Sequence, residues 1–288
     1  MKKIIVPVDF SEESLRGIEL AIKVANGLNA SVEMVHVIRE HKPAILETVK
    51  GYEIKVKEKF EELRRDYESQ LSKGNTLTYV IHKGKVHSEV VKHARYSDAE
   101  MIVSSTHGAS GFEELFTGSN AMRIMAYSEL PVMMARKDTV PETFRKILLP
   151  IDETVESRQK VPFTTQLAKA FNAEIIVLAI LPDTNDAEKK GRVKAYEKQV
   201  KDYLRKYEIE FTEKEKTGST VESIMDCVDT DNADLISVMA EEEITLSPTI
   251  LGSHVQELLR KAKRPLLCIH QRDIYKGPFF PFVSKSKL

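Results

Sequence analysis

The feature that most constrains this chain is that it repeats itself. Lys3-Ile4-Ile5-Val6-Pro7-Val8-Asp9 returns as Lys146-Ile147-Leu148-Leu149-Pro150-Ile151-Asp152, an offset of 143, and Asn29-Ala30-Ser31-Val32 returns at the same offset as Asn172-Ala173-Glu174-Ile175. Further on, Asp98-Ala99-Glu100-Met101-Ile102 matches Asn232-Ala233-Asp234-Leu235-Ile236 at an offset of 134, which Gly118-Ser119 and Gly252-Ser253, and Pro131 and Pro265, also keep. The landmarks hold their order, so the second half is nine residues shorter somewhere between its second strand and Gly218. A period this long is no solenoid repeat; it reads as two copies of one domain, and 288 residues suit two domains. The boundary is placed in the polar stretch Lys137–Arg145, which holds Pro141. This gives a first domain over 1–140, a second over 141–272 and an aromatic tail over 273–288.

Within each copy strands alternate with helices. Ile4–Val8 is a short continuous apolar run, as expected of a strand covered on both faces. Ser11 is placed to cap a helix whose apolar face is Leu15, Ile18, Ile22 and Ala25. Strands over Val32–Ile38, Leu77–Ile81, Met101–Ser104 and Pro131–Ala135 follow, with helices between them over 45–72, Ser88–Arg95 and Ser119–Tyr127. Helical crossovers between buried strands imply an α/β chain built on open parallel sheets. In such sheets a ligand sits beyond the carboxyl ends of the strands, at a topological switch point. That directs attention to Asp9, Val37, Gly84 and the segment after Ser104. The last strand of each copy, Pro131–Ala135 and Pro265–Ile269, would expose an unpaired edge unless joined, so the copies are expected to pack as a pseudo-symmetric pair.

The segment after Ser104 runs Ser104-Ser105-Thr106-His107-Gly108-Ala109-Ser110-Gly111 and reaches Gly118-Ser119-Asn120 at the next helix. Glycines allow backbone N–H groups to approach a ligand, and a helix N-terminus adds donors and partial positive charge, which together suit a phosphate. The segment is neither a Walker A loop nor the compact dinucleotide fingerprint. On these residues alone, a phosphate site and a plain loop with cap glycines both stay open.

The sequence resembles the universal stress protein family in its tandem form. The family's ATP signature, Gly-x2-Gly-x9-Gly-Ser/Thr, is met by Gly108, nine residues, then Gly118-Ser119, with Ser105 at the position of the first glycine. Pro7-Val8-Asp9-Phe10-Ser11, His36-Val37 and Leu130-Pro131-Val132 are also typical of it. The resemblance implies two open parallel-sheet, Rossmann-like domains of the adenine-nucleotide α-hydrolase kind, with ATP, with or without Mg, held in the first. By it, Asp9 holds the ribose, Val37 meets adenine through its backbone, and Gly108, Gly118, Ser119 and Asn120 hold the phosphates, with Pro7, Ser104 and Ser105 also counted among the nucleotide-binding residues. It also implies pairing of the domains through their last strands; pairing with a second chain stays open. The second copy departs from the pattern: Glu242, within Glu241-Glu242-Glu243, stands where the first has Gly108, and Met239 where it has Ser105. Like charge beside a phosphate opposes binding, so no nucleotide is expected there and the second domain is read as a pairing partner.

The remaining candidates carry less. His107 beside the loop is read as a bystander, and His82, His87 and His93 are not spaced as metal ligands. Cys227 and Cys268 read as small core residues, and two cysteines in an unstapled chain suggest a reducing cytoplasm. With 43 Lys+Arg against 44 Asp+Glu, no broad nucleic-acid footprint is present, and no apolar run is long enough for a membrane span. The Lys/Glu-rich stretch over 54–68 reads as a solvated helix face. The tail Tyr275-Lys276-Gly277-Pro278-Phe279-Phe280-Pro281-Phe282 is expected to dock on the protein's own surface or on a sister chain. No triad, acid/base carboxylate pair or metal cluster marks an enzyme, although slow ATP turnover stays open. Two functional classes therefore stand: a nucleotide-binding stress-response regulator, and a scaffold of the same fold with no ligand site.

Overall fold

The computed structural model describes residues 2–39, 46–106, 120–136, 140–240, 242–243 and 250–270. The first copy comprises β1 (Lys3–Pro7), α1 (Glu12–Leu28), β2 (Ser31–Ile38), α2 (Leu46–Tyr67), β3 (Leu77–Lys83), α3 (Val86–Tyr96), β4 (Met101–Thr106), α4 (Asn120–Tyr127) and β5 (Val132–Arg136). The second comprises β6 (Lys146–Ile151), α5 (Val161–Phe171), β7 (Glu174–Leu181), α6 (Ala187–Lys206), β8 (Phe211–Thr217), α7 (Thr220–Asp231) and β9 (Leu235–Ala240). It continues with β10 (Glu242–Glu243), β11 (Ile250–Leu251), α8 (Ser253–Lys261) and β12 (Leu266–His270).

The repeated landmarks are turn chemistry. Asn29 and Asn172 end α1 and α5 in the left-handed conformation, each at φ 51°, and Asp98 and Asn232 repeat it ahead of β4 and β9 at φ 54°. Asn and Asp tolerate this region better than other side chains, and the following alanine starts the return to the sheet. The start of α1 is equally local: Ser11 Oγ accepts the Ser14 N–H at 3.3 Å. The nine missing residues all fall around the second crossover helix. Relative to α2, the lead-in to α6 is two residues shorter, the helix two and the exit five.

Each copy forms five parallel strands, β3-β2-β1-β4-β5 and β8-β7-β6-β9-β12. The halves join edge to edge where β5 and β12 run antiparallel, with Leu266 opposite Met134, Leu267 opposite Met133 and Cys268 opposite Val132. One ten-stranded sheet results. The expected pairing of the copies is thus made by backbone hydrogen bonds between their last strands, and neither of these strands is left as an open edge. Helices α1, α2, α5 and α6 cover one face of the sheet and α3, α4, α7 and α8 the other, each over a core that runs through both copies. Cys227 and Cys268 are both buried and neither forms a disulfide, as expected of core residues; burial first, then the Asp231 carboxylate, pushes the Cys227 thiol up to about 12. No described helix is long and apolar enough to cross a membrane.

Outer strand β8 shows how an edge is kept soluble. Glu213 and Glu215 pair with Lys201 and Lys194 of α6 on one face, while Lys214 and Lys216 pair with Asp231 and Asp226 of α7 on the other. Charged side chains of both signs along an outer strand disfavour further pairing.

Helices α1 and α5 meet across the junction at Gly27. A Cβ built there would lie 2.6 Å from Phe171 Cζ, and the Phe171 ring is held edge-on against Phe144 with centroids 5.0 Å apart. Gly27→Ala should therefore lower stability by about 1–2 kcal/mol, overpacking outweighing the helix propensity gained. Denaturant unfolding of G27A, and of G27A combined with Phe171→Leu, checks this: the double variant should recover most of the loss.

Candidate functional site

In each half the chain leaves the central strand in one direction and returns on its other side, so the switch points lie between β1 and β4 and between β6 and β9. At the first, β1 ends at Pro7 and Val8 makes one further ladder bond, its N–H donating to Val35 O at 2.8 Å. The chain then turns away. Asp9 is exposed, and its Oδ1 accepts the Ser11 N–H at 3.1 Å and the Ser11 hydroxyl at 2.6 Å. Asp9 is thereby tied to the Ser11 helix cap. Between them Phe10 adopts φ 67°, a left-handed conformation unusual for a bulky residue. Its ring packs on His36 and Phe60 at 5.1 and 5.0 Å between centroids, and Lys59 Nζ lies 5.0 Å from it.

Neighbouring strands complete the mouth. Val37 is buried near the end of β2. Ser104 and Ser105 end up on opposite faces of β4, as consecutive strand residues must. Ser104 is buried, while Ser105 turns toward α1 at Gly17, where an added Cβ would sit 3.7 Å from Ser105 Cβ. Ser105 Oγ is buried and makes no hydrogen bond among the described residues. A buried hydroxyl in that state is suited to a hydrogen bond with a ligand oxygen. Asn120 opens α4. Pro7, Asp9, Val37, Ser104, Ser105 and Asn120 are therefore all at or next to the carboxyl ends of the strands of the first copy or at a helix start beside them. Gly108, Gly118, Ser119 and His107, like the aromatic tail, lie outside the described residues.

Sequence reasoning passed over the side chains that brace this mouth. The His36 ring is buried, its Nδ1–H donates to the Val8 carbonyl at 2.7 Å, and the Tyr52 hydroxyl donates to its Nε2 at 3.4 Å. Burial lowers the His36 pKa most strongly; the Val8 carbonyl and Asp9 act against this shift and Lys59 adds to it. A signal was available in the sequence: His36 shares strand parity with Val32 and Met34 and so belongs to the buried α2 face.

The second switch point is built from different residues. Counterparts of Gly17 and Ser105 are Lys160 and Met239, both buried. They converge: Thr164, one helical turn after Lys160, hydrogen-bonds Ser237 at 2.7 Å, and Met239 lies two residues beyond Ser237 on β9. Lys160 Nζ donates to Ser157 O at 2.6 Å, and the buried Arg158 guanidinium stacks 3.7 Å from the Tyr196 ring centre. Beyond β9, Glu242 and Glu243 pair antiparallel with Leu251 and Ile250, so the backbone there forms a short ribbon ahead of Gly252, the N-cap of α8.

The histidines resolve differently from a metal centre. His82 Nε2 and His93 Nδ1 are 3.0 Å apart, His93 Nε2 lies 2.7 Å from Glu33 Oε2, and Lys3 closes the row on the same carboxylate at 3.0 Å. Among the described residues no His/Cys/Asp/Glu group is arranged to hold a metal ion, while His87 stacks on Tyr127.

The universal stress protein family description matches residues 1–136 and 143–270. Universal stress protein MJ0531 of Methanocaldococcus jannaschii is 27% identical over 140 residues, covering 47% of this chain and 82% of that protein. Universal stress protein A homolog 1 of Coxiella burnetii is 33% identical over 144 residues, covering 46% and 94%. A crystal structure of a universal stress protein from Archaeoglobus fulgidus is similar, with a TM-score of 0.76, 19% identity, and 94% and 97% of the two chains covered. The chain belongs to the universal stress protein family, with two copies of its domain in one polypeptide.

The Glu33 row carries a pH signature. Its hydrogen bond from His93, with a further one from Lys3, holds the Glu33 carboxyl down at about 2 against the opposing effect of burial. A carboxylate depressed in the folded state stabilises it above the ordinary carboxylate range, and that stabilisation is lost as pH falls toward the folded value. Glu33→Gln should therefore flatten the stability profile between pH 4.5 and about 2, measured by thermal unfolding across that range.

Proposed function

We propose that the protein is a nucleotide-binding stress-response regulator that holds one ATP per chain at the switch point of its first copy. Asp9 takes the ribose beside Pro7, and the Val37 backbone meets adenine. Ser104, Ser105, Gly108, Gly118, Ser119 and Asn120 gather at the phosphates, with Mg as the accompanying ion. The observation that carries this reading is the contrast between the two mouths: Gly17 and the buried Ser105 hydroxyl in one, buried Lys160 and Met239 in the other. The family signature over Gly108 and Gly118-Ser119 supports it further. The first mouth retains a small residue and a hydroxyl in need of a partner; the second is occupied by its own long side chains.

Bound nucleotide would supply negative charge at the N-terminus of α4, where orphan backbone donors favour it. In the second copy the β10–β11 ribbon directs the corresponding backbone into sheet pairing instead. The second copy then serves the first as its edge partner.

Calorimetric titration with ATP tests both parts. Saturation should come near one equivalent per chain, and Gly118→Asp should weaken binding at least about tenfold, roughly 1.4 kcal/mol, by setting bulk and charge against the phosphates. Two equivalents of similar affinity would place a working site in the second copy. Unchanged affinity in folded G118D would remove the phosphates from the α4 N-terminus.

A further inference from the structure

His36 does something to the sheet that its counterpart does not. In a parallel ladder a residue that donates its N–H to one neighbour accepts, at its own carbonyl, the N–H two residues further along that strand. Val8 donates to Val35 O, so its carbonyl would next receive the Val37 N–H. It receives the His36 Nδ1–H instead, at 2.7 Å, and among the described residues no backbone bond runs from Val37 to Val8. The β1–β2 ladder stops at Pro7 opposite Val35. The second copy is an internal control, because Ala179 stands where the first has His36. There the β6–β7 ladder runs one pair further, to Ile151 opposite Ala179.

We infer that His36 is a positioning residue: by taking the Val8 carbonyl it ends the ladder early and leaves the Val37 N–H directed into the mouth as a donor for a ligand's acceptor atom. Odd-numbered residues of β2 turn their backbone groups toward β1, as the Ser31 N–H to Lys2 O and Val35 O from Val8 N–H show, so the donor faces the switch point. The ring is held for this task from three sides. Phe10 and Phe60 pack on it, and the Tyr52 hydroxyl occupies Nε2, which leaves the proton on Nδ1. The partner is a base-like acceptor, a ring nitrogen or carbonyl; its identification as adenine rests on the nucleotide reading above.

The test uses the full chain with His36→Ala, which copies the second half, His36→Leu, which keeps more bulk, and His36→Asn, whose amide retains a donor near Nδ1. Amide hydrogen exchange of the ligand-free proteins by NMR reads the ladder directly. The Val37 amide should become at least about tenfold more protected in the folded Ala or Leu variant, and stay as in the parent in the Asn variant. ATP affinity should fall about tenfold in Ala and Leu and be largely kept in Asn. Equal Val37 protection in the parent and in the Ala and Leu variants overturns the inference, as does undiminished ATP binding by those two. The expected exchange pattern in a parent that binds no ATP upholds the ladder stop and overturns the nucleotide reading alone.

Discussion

Three residue pairs across the β5–β12 seam decide the shape of everything else. A five-stranded parallel sheet cannot close on itself, and its last strand would present a row of unpaired amides to water. Here each copy's last strand satisfies the other's, with Met133 and Leu267 at the centre of the pairing and both fully buried. Because the seam is antiparallel while every pairing among the five sheet strands of each copy is parallel, the carboxyl ends of the two sets of strands point to opposite edges of the ten-stranded sheet. The two mouths therefore lie apart, and each can vary without disturbing the other. Core packing crosses the seam where the mouths do not: the Gly27–Phe171 contact on one face is matched on the other by a hydrogen bond from His270 of β12 to the Met125 carbonyl of α4.

That independence lets the second copy lose glycines and gain long side chains without losing the fold. Lys160 and Arg158 are buried, which is costly for a cation unless oxygens or rings meet it. Lys160 has the Ser157 carbonyl; Arg158 has the Gln199 carboxamide and the Tyr196 ring. The helix has adapted with them. In the first copy α1 begins directly after its Ser11 cap. In the second, a 3-10 turn over Glu156–Arg158 intervenes and α5 starts only at Val161, just ahead of Pro162, a residue the first turn of a helix accepts. The second mouth is thus filled by the chain's own long side chains.

Much of this was legible in the sequence because the repeat exposed its own rules. Asn29 and Asn172, Ser11, and the apolar runs of β1 and β6 act through short-range geometry, and turns, caps and buried strands follow from them wherever the chain places them. Asp9 could be singled out for the same reason, as the residue where an apolar strand stops. What could not be read was anything set by three-way packing. Phe10 gives no sign in isolation that it will turn left-handed, since its conformation is held by His36, Phe60 and Lys59 arriving from β2 and α2. The histidines His82 and His93 are eleven residues apart and become neighbours only because β3 and α3 fold over Glu33. Counting sequence intervals along one element missed a contact made between two.

The helix α4 ties the first mouth to the seam. Its first residue is Asn120, and Met125, in its last turn, gives its carbonyl to His270 of the other copy. Eight residues span the whole distance, and the helix is buried along Met122, Ile124, Met125 and Ala126. A short helix packed on one side has little freedom to bend, so its start at the first mouth and the end that the second copy grips belong to one rigid body. The second copy supplies the edge that β5 needs and the imidazole that α4 meets.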